Sequence, residues 1–277
     1  MDYIVHIMRS INYIEENLRN EINLNDCARA SGYSDYHFIR VFKEATKLTP
    51  SDYIRKRRLT EIIKHINENT SISEIAFEYG FNSKENFTRA FVSEHHILPT
   101  EYKAAKNSLK LFEAINFETP KIEITPKIIN IERFDLIVYR SDETYAPNFW
   151  NKYNSRKWSK KLSGGKVCED YGVNVWNNNE GKHDYYAGIR KENASGNLDG
   201  TNELQIQGGL YAIFTTPPRT QFDFVNTIHH TWAYILNIWI PQSPYRCADA
   251  DRYQFESYIE DSRTFSEDIF IPIEMKS

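Results

Sequence analysis

The chain has 277 residues, 40% hydrophobic and 26% charged, with 34 Lys+Arg against 38 Asp+Glu. That length makes two domains the default, and that composition excludes a disordered or collagen-like chain. No run approaches the ~18 apolar residues of a membrane helix, the first residues lack a secretion signal, and three scattered cysteines (Cys27, Cys168, Cys247) make neither a disulfide framework nor a zinc pattern, which suits a reducing cytoplasm.

Charge alone decides little. Residues 1–110 carry 16 basic and 15 acidic side chains, net +1, and residues 111–277 carry 18 and 23, net −5. A nucleic-acid partner therefore has to be argued from a motif that gathers basic groups on one face.

The chain opens on an amphipathic stretch, with Ile4, Ile7, Ile11, Ile14 and Leu18 at helical spacing. An internal repeat follows. Phe38, Arg40, Phe42, Pro50 and Tyr53 recur as Phe87, Arg89, Phe91, Pro99 and Tyr102 at a constant offset of 49, and the Gly-aromatic pairs Gly32-Tyr33 and Gly80-Phe81 recur at 48, so one residue was inserted in the turn. Each copy reads as two short helices around a tight turn. Gly32 and Gly80 sit where a helix stops in the left-handed region, and Ser34 and Ser83 stand as N-caps of the next helix. The Phe pairs at i and i+4 make an inward stripe. Between the copies, Ile54, Leu59, Ile62, Ile63 and Ile66 fit one long helix holding the two units apart.

Two helix-turn-helix units on a long linking helix, with "GYS…R.FK…P..Y…RR" then "I.EIA…GF.S…F.R.F…P.EY", resemble the AraC/XylS-type DNA-binding domain over residues 1–107. The family's usual glycines are replaced by Lys47 and His96, which predicts slightly altered helix ends there. With the Phe stripes inward, the exposed side chains of the first recognition helix are Asp35, Tyr36, Ile39, Arg40 and Lys43, and those of the second are Lys84, Glu85, Thr88 and Arg89. The resemblance places base contacts at Tyr36 and Arg40, with Arg89 the counterpart of Arg40. Arg can fork onto guanine or a phosphate, and Glu can accept from cytosine. The run Arg55-Lys56-Arg57-Arg58 reads more readily as internal salt bridges or a solvated face than as a phosphate grip. Two such units in one chain could enter successive major grooves, about one turn or roughly 34 Å apart, and read an asymmetric site of about 20 bp.

After a linker at 108–118, the pattern from Thr119 changes to short runs rich in Ile, Val, Tyr and Phe. The expected order is strand Phe134–Arg140, helix Pro147–Leu162, strands Tyr171–Trp176 and Tyr185–Arg190, a loop, strand Gly209–Thr216, helix Gln221–Ile240, and strands Arg252–Ile259 and Ile269–Ile273. An additional strand is expected at Lys121–Thr125. The chain thus reads as multidomain: an all-α double helix-turn-helix domain (1–107), then an α+β domain of two strand-helix-strand-strand repeats (119–277). The stripe Phe222, Val225, His229, Trp232, Leu236 and Trp239 on the second long helix reads as packing on the sheet, with His229 a core histidine.

Tyr185-Tyr-Ala-Gly, Gly209-Leu-Tyr-Ala-Ile-Phe, Trp239-Ile-Pro-Gln-Ser, Phe255-Glu-Ser-Tyr and Ile271-Pro-Ile, in this order and spacing, resemble the GyrI-like small-molecule-binding domain. Rob-like regulators join the same two modules in this order. Strand alternation puts Phe255, Ser257 and Ile259 on one face and Glu256 on the other. If the first face packs on the helices, Glu256 points into an open concave face, where a carboxylate among aromatic walls suits a lipophilic cation. The candidate walls are Tyr139, Trp150, Trp176, Tyr186, Tyr211 and Tyr258, each also explicable as sheet packing.

The expected function is a DNA-binding transcription regulator, an activator by resemblance, that responds to a small cationic or aromatic effector. The expected partners are promoter DNA, the effector and RNA polymerase; no cofactor, metal or catalytic residue is assigned. Two alternatives stay open: hydrolase activity with Glu256 as general base, as the resemblance allows, and docking of a partner protein on the second domain.

Overall fold

The computed structural model describes residues 2–65, 71–101, 111–117, 124–143, 146–177, 182–220, 223–248, 252–259 and 265–276. Ile66, Tyr102, Gln221, Phe222 and the 121–123 part of the additional strand lie outside them. The chain divides into two compact units: the helical residues up to 101 together with 111–117, and the residues from 124 onward.

In the first unit, α1 (Asp2–Glu16) precedes a helix pair α2 (Leu24–Ser31) and α3 (Asp35–Thr46), the linking helix α4 (Pro50–His65), and a second pair, α5 (Ile72–Glu78) and α6 (Lys84–His95). The copies agree in detail. At the first turn Gly32 takes φ +74° and Tyr33 N–H donates to the Ala28 carbonyl; at the second, Gly80 takes φ +77° and Phe81 N–H donates to the Ala76 carbonyl. These left-handed closures are the reason for glycine at both turns. Phe38 meets Phe42 at 5.3 Å and 60°, and Phe87 meets Phe91 at 5.6 Å and 57°, all four fully buried.

The two capping serines differ. Ser83 Oγ accepts from Asn86 N–H, whereas Ser34 sits at the cap position without a side-chain bond. Lys47 (φ 62°) and His96 (φ 59°) correct the expectation of altered helix ends. Both enter the left-handed region outright, their N–H groups donating to the Lys43 and Val92 carbonyls as a glycine would.

The basic run of α4 is engaged within the unit. Arg57, only 3% exposed, forks onto Glu15 (2.9 Å), also reaches Glu61 (2.8 Å), and donates to the Phe112 carbonyl. Lys56 pairs with Glu94, Arg55 with Asp52, and Arg58 donates to the Leu18 and Asn20 carbonyls. The stretch 111–117, expected within the linker, packs on α4: Leu111 is buried, the Phe112 ring meets Tyr53 edge-on at 5.7 Å, and Thr60 donates to the Phe112 carbonyl.

The second unit is one antiparallel sheet with helices on a single face. Its strands are β1 (Lys127–Ile131), β2 (Phe134–Arg140), β3 (Asp170–Asn177), β4 (Lys182–Arg190), β5 (Asn202–Ile206), β6 (Gly209–Thr215), β7 (Tyr245–Cys247), β8 (Gln254–Tyr258) and β9 (Asp268–Met275). Their order is β1-β6-β9-β8-β3-β4-β2-β5, with β7 on β9. Each repeat contributes strand, helix, strand, strand, and the two meet where β3 pairs with β8, so the sheet is pseudo-symmetric about that line. β1, β5 and β7 were not read from the sequence. β1 and β5 each lead into the first strand of one repeat but pair with that of the other, β1 with β6 and β5 with β2. The crossing connections pass so closely that a Cβ on Gly208 would lie 3.0 Å from the Ile131 carbonyl and the Arg133 amide.

The expected helix Pro147–Leu162 is two, α7 (Ala146–Ser155) and α8 (Trp158–Leu162), broken at Lys157, which takes φ 54°. The second long helix, α9 (Phe224–Tyr234), continues through a π-helical segment, Ile235–Trp239, to Gln242. That wider turn shifts the helical phase. The buried row is Phe224, Thr227, Thr231 and Ile235, while Leu236 is exposed.

Candidate functional site

Two surfaces of the first unit present the expected DNA-reading residues. On α3, Tyr36 is 83% exposed, and Asp35, Ile39, Arg40 and Lys43 are exposed beside it. Arg40 reaches only His37, at 3.5 Å. On α6, Lys84, Glu85, Thr88 and Arg89 line one shallow concavity with Val92 and Ser93. The Glu85 carboxyl lies below its usual pKa because its own backbone N–H, then Ser83 Oγ–H, stabilise the anion. Thus Arg40 and Arg89 occupy matching places on two helices closed by matching turns, with their buried Phe stripes behind them. Such helices have the form that enters a major groove.

In the second unit, Glu256 is the centre. It stands on β8 opposite Gly172 of β3, is 9% exposed, and faces the helices. This reverses the expected side. Alternation within β8 holds, but it is Phe255 that turns away, into a core with Leu136, Val138, Tyr171, Val173, Ile206 and Tyr211 on the helix-free face. The curl of the sheet and its crossing edge strands bury that face without any helix.

Glu256 is held from both helices. Trp232 Nε1–H of α9 donates to Oε1 at 2.9 Å. Tyr185 Oη–H of β4 donates to Oε2 at 3.2 Å and itself accepts from Trp150 Nε1–H of α7 at 2.8 Å. Burial first, then the Glu256 and Glu267 carboxylates, push the Tyr185 hydroxyl well above its ordinary pKa, so it stays a donor. Glycine at 172 makes this possible, since a Cβ there would lie 2.2 Å from Tyr185 Oη and 3.0 Å from the Trp150 ring.

Around these groups lies a cavity of about 180 Å³, lined by Ala146, Pro147, Trp150, Asn174, Tyr185, Val225, Ile228, His229, Trp232, Glu256 and Glu267. It is smaller than the roughly 300–1,000 Å³ of pockets for drug-sized ligands, so it suits a single ring or a short chain. His229 is reached by solvent, yet the protein around it, and then His230, lower its pKa, leaving it neutral at pH 7. His229, Val225 and Trp232 therefore line the cavity instead of packing on the sheet, because the buried row of α9 runs one position to their side.

The expected walls divide. Trp150 lines the cavity. Tyr258 packs edge-on against Trp150 at 4.9 Å and bonds Asn154, and Tyr139 stacks on Trp158 at 4.3 Å in the same cluster. Tyr186 and Tyr211 belong to the helix-free face, and Trp176 is 43% exposed beside His183. These three are not brought to Glu256. Tyr185 was missed in favour of its neighbour, an error of one strand position. Counting by two from Ala187, which shares the register line of Gly172 and Glu256, finds it. Glu267 lies just before β9 and carried no signal in the sequence. Among the described residues, no group of three or more His, Cys, Asp or Glu could hold a metal ion, and no helix is long and apolar enough to cross a membrane.

Comparison with known proteins assigns each unit. Residues 27–105 match a helix-turn-helix domain model, and residues 126–274 match the GyrI-like small molecule binding domain model. The chain is 37% identical over 105 residues to the transposon Tn10 TetD protein of Escherichia coli, covering 38% of this chain and 75% of that one. It is 35% identical to the HTH-type transcriptional activator AarP of Providencia stuartii (36% of this chain, 78% of that one), and 36% identical to the multiple antibiotic resistance protein MarA of E. coli (34% and 74%).

Proposed function

Because the chain belongs to the AraC-type helix-turn-helix regulators and carries a GyrI-like small-molecule-binding domain, we propose that it is a transcription activator whose effector is a small cation held at Glu256. The observation that carries the effector reading is the position of that carboxylate. It sits within an aromatic cavity, oriented by Trp232 and Tyr185, in the same chain as two exposed recognition helices. Indole and phenol donors keep a carboxylate ionised, and aromatic faces attract the cation that neutralises it.

In the DNA-binding unit, Arg40 and Arg89 would contact bases or phosphates. Tyr36, Lys43, Lys84 and Thr88 would extend the footprint. Glu85 would read cytosine only by giving up its bonds at the start of α6. Contact with RNA polymerase is the means of activation that the family suggests.

The test is fluorescence anisotropy of the full-length protein on the DNA upstream of its own gene, against a scrambled duplex, with and without phenyltrimethylammonium. Specific binding should weaken by about 1–3 kcal/mol in Arg40→Ala. In Glu256→Gln, affinity for phenyltrimethylammonium should fall at least tenfold, while the neutral isostere tert-butylbenzene binds wild type and variant alike. Equal losses for both compounds would end the charge-recognition reading.

A further inference from the structure

The cavity contains a second carboxylate. Glu267 is 4% exposed and lines the same space as Glu256. Register relates them: Glu256 pairs with Ile269 across β8 and β9, and Glu267 precedes Ile269 by two residues. Diagonal neighbours of this kind stand about 7–8 Å apart, somewhat less between Cβ atoms.

The placement of Glu267 is built. Thr216, fully buried, accepts from Glu267 N–H through its hydroxyl at 2.9 Å and donates its own N–H to the Glu267 carbonyl at 2.9 Å. Ser266 Oγ–H closes on the Thr216 carbonyl at 2.7 Å. Four main-chain groups at the entry to β9 are thus fixed, and the carboxylate at 267 has a defined position before any ligand arrives. No Lys or Arg is among the described residues that line the cavity. The one histidine there is held neutral.

We propose that the effector is a dication, a short α,ω-diammonium compound whose two ends are taken separately by Glu256 and Glu267 across the aromatic floor of Trp150, Tyr185 and Trp232. Three features of the cavity converge on it. Its volume of about 180 Å³ admits a short chain. Its two anionic groups are spaced by one strand-to-strand diagonal. Its aromatic faces accept methylene and ammonium groups alike. A monocation satisfies one carboxylate and leaves the other facing a partly dehydrated space, which is unfavourable. This inference rests on the effector site proposed above and adds to it the charge and length of the ligand.

Isothermal titration of the full-length protein with 1,4-diaminobutane, with n-pentylamine (the same chain with one ammonium replaced by methyl) and with phenyltrimethylammonium tests it. The diamine should bind at least tenfold more tightly than the monoamine. Glu267→Gln should bring the diamine down to the monoamine's affinity while leaving phenyltrimethylammonium binding unchanged, which also shows that the variant is folded. If phenyltrimethylammonium binds but the diamine shows no preference, or Glu267→Gln leaves the diamine unaffected, the dication inference falls and the cation site stands. If none of the three cations binds wild type, both readings fall together.

Discussion

Both units of this protein are built by duplication, and they have kept different things. The helical unit kept side chains: the Phe pairs, the arginines beside them and the left-handed glycines recur one for one, and so do the 5.3 and 5.6 Å ring contacts. The sheet unit kept only topology. Its two central strands, β3 and β8, are equivalent in the fold, yet where they face each other one carries Gly172 and the other Glu256. A unit that reads two successive stretches of DNA has use for two similar surfaces. A unit that closes on one ligand needs its halves to differ where they meet, so that one supplies the charge and the other the space.

The likeness of the helical copies breaks at one buried position, and acid should expose it. His95 and Thr46 occupy the same place in the repeat. Thr46 satisfies its hydroxyl on the Phe42 carbonyl, whereas His95 is 1% exposed, with neither ring nitrogen hydrogen-bonded. Burial, then Lys56 and His96, lower its pKa from 6.5 to about 3; Phe91 packs on its ring and Glu94 holds Lys56. In the unfolded chain this group protonates near pH 6.5, and in the folded one only near 3. The stability it confers is therefore complete above 6.5, falls as the pH drops, and is gone by 3. At 1.36 kcal/mol per unit the loss approaches about 5 kcal/mol. Urea midpoints measured between pH 7 and 4 should fall steeply for wild type and much less for His95→Leu. Parallel curves would show that the copies are equally acid-resistant.

The asymmetry of the sheet unit is sharpened at Gly172. Gly172→Ala places a methyl group against Tyr185 Oη and Trp150, and should cost about 1–3 kcal/mol of stability through overpacking. It should weaken cation binding more than Glu267→Gln weakens phenyltrimethylammonium, because it disturbs the donors that orient Glu256. Calorimetry on both variants checks this. Undisturbed binding in Gly172→Ala would mean that the Trp150–Tyr185–Glu256 chain does not set the site.

The smallest effect concerns the two non-glycine helix ends. Lys47→Gly and His96→Gly each relieve a left-handed residue and should raise stability by up to about 1 kcal/mol, read as a higher urea midpoint at pH 7. Equal gains would extend the equivalence of the copies to their C-caps.

The sequence by itself determined the helical unit nearly whole. Helical periodicity, capping and the glycine turns are local, so the repeat fixed which side chains are inward and which of α3 and α6 are outward. It also determined the strand-helix-strand-strand order of the second unit and singled out Glu256 and Trp150. Tertiary structure alone decided the rest. Alternation assigns residues to two faces without saying which face the helices cover, so Glu256 lies on the helix side while Tyr186 and Tyr211 lie on the other. The edge strands β1 and β5 are defined by pairing with the opposite repeat, a long-range contact with no local pattern. The π-helical turn of α9 rotated the expected stripe away from the sheet and toward the cavity. Glu267 entered the site only through backbone bonds to a threonine 51 positions earlier, because a cavity between elements belongs to their packing and to none of their sequences taken singly.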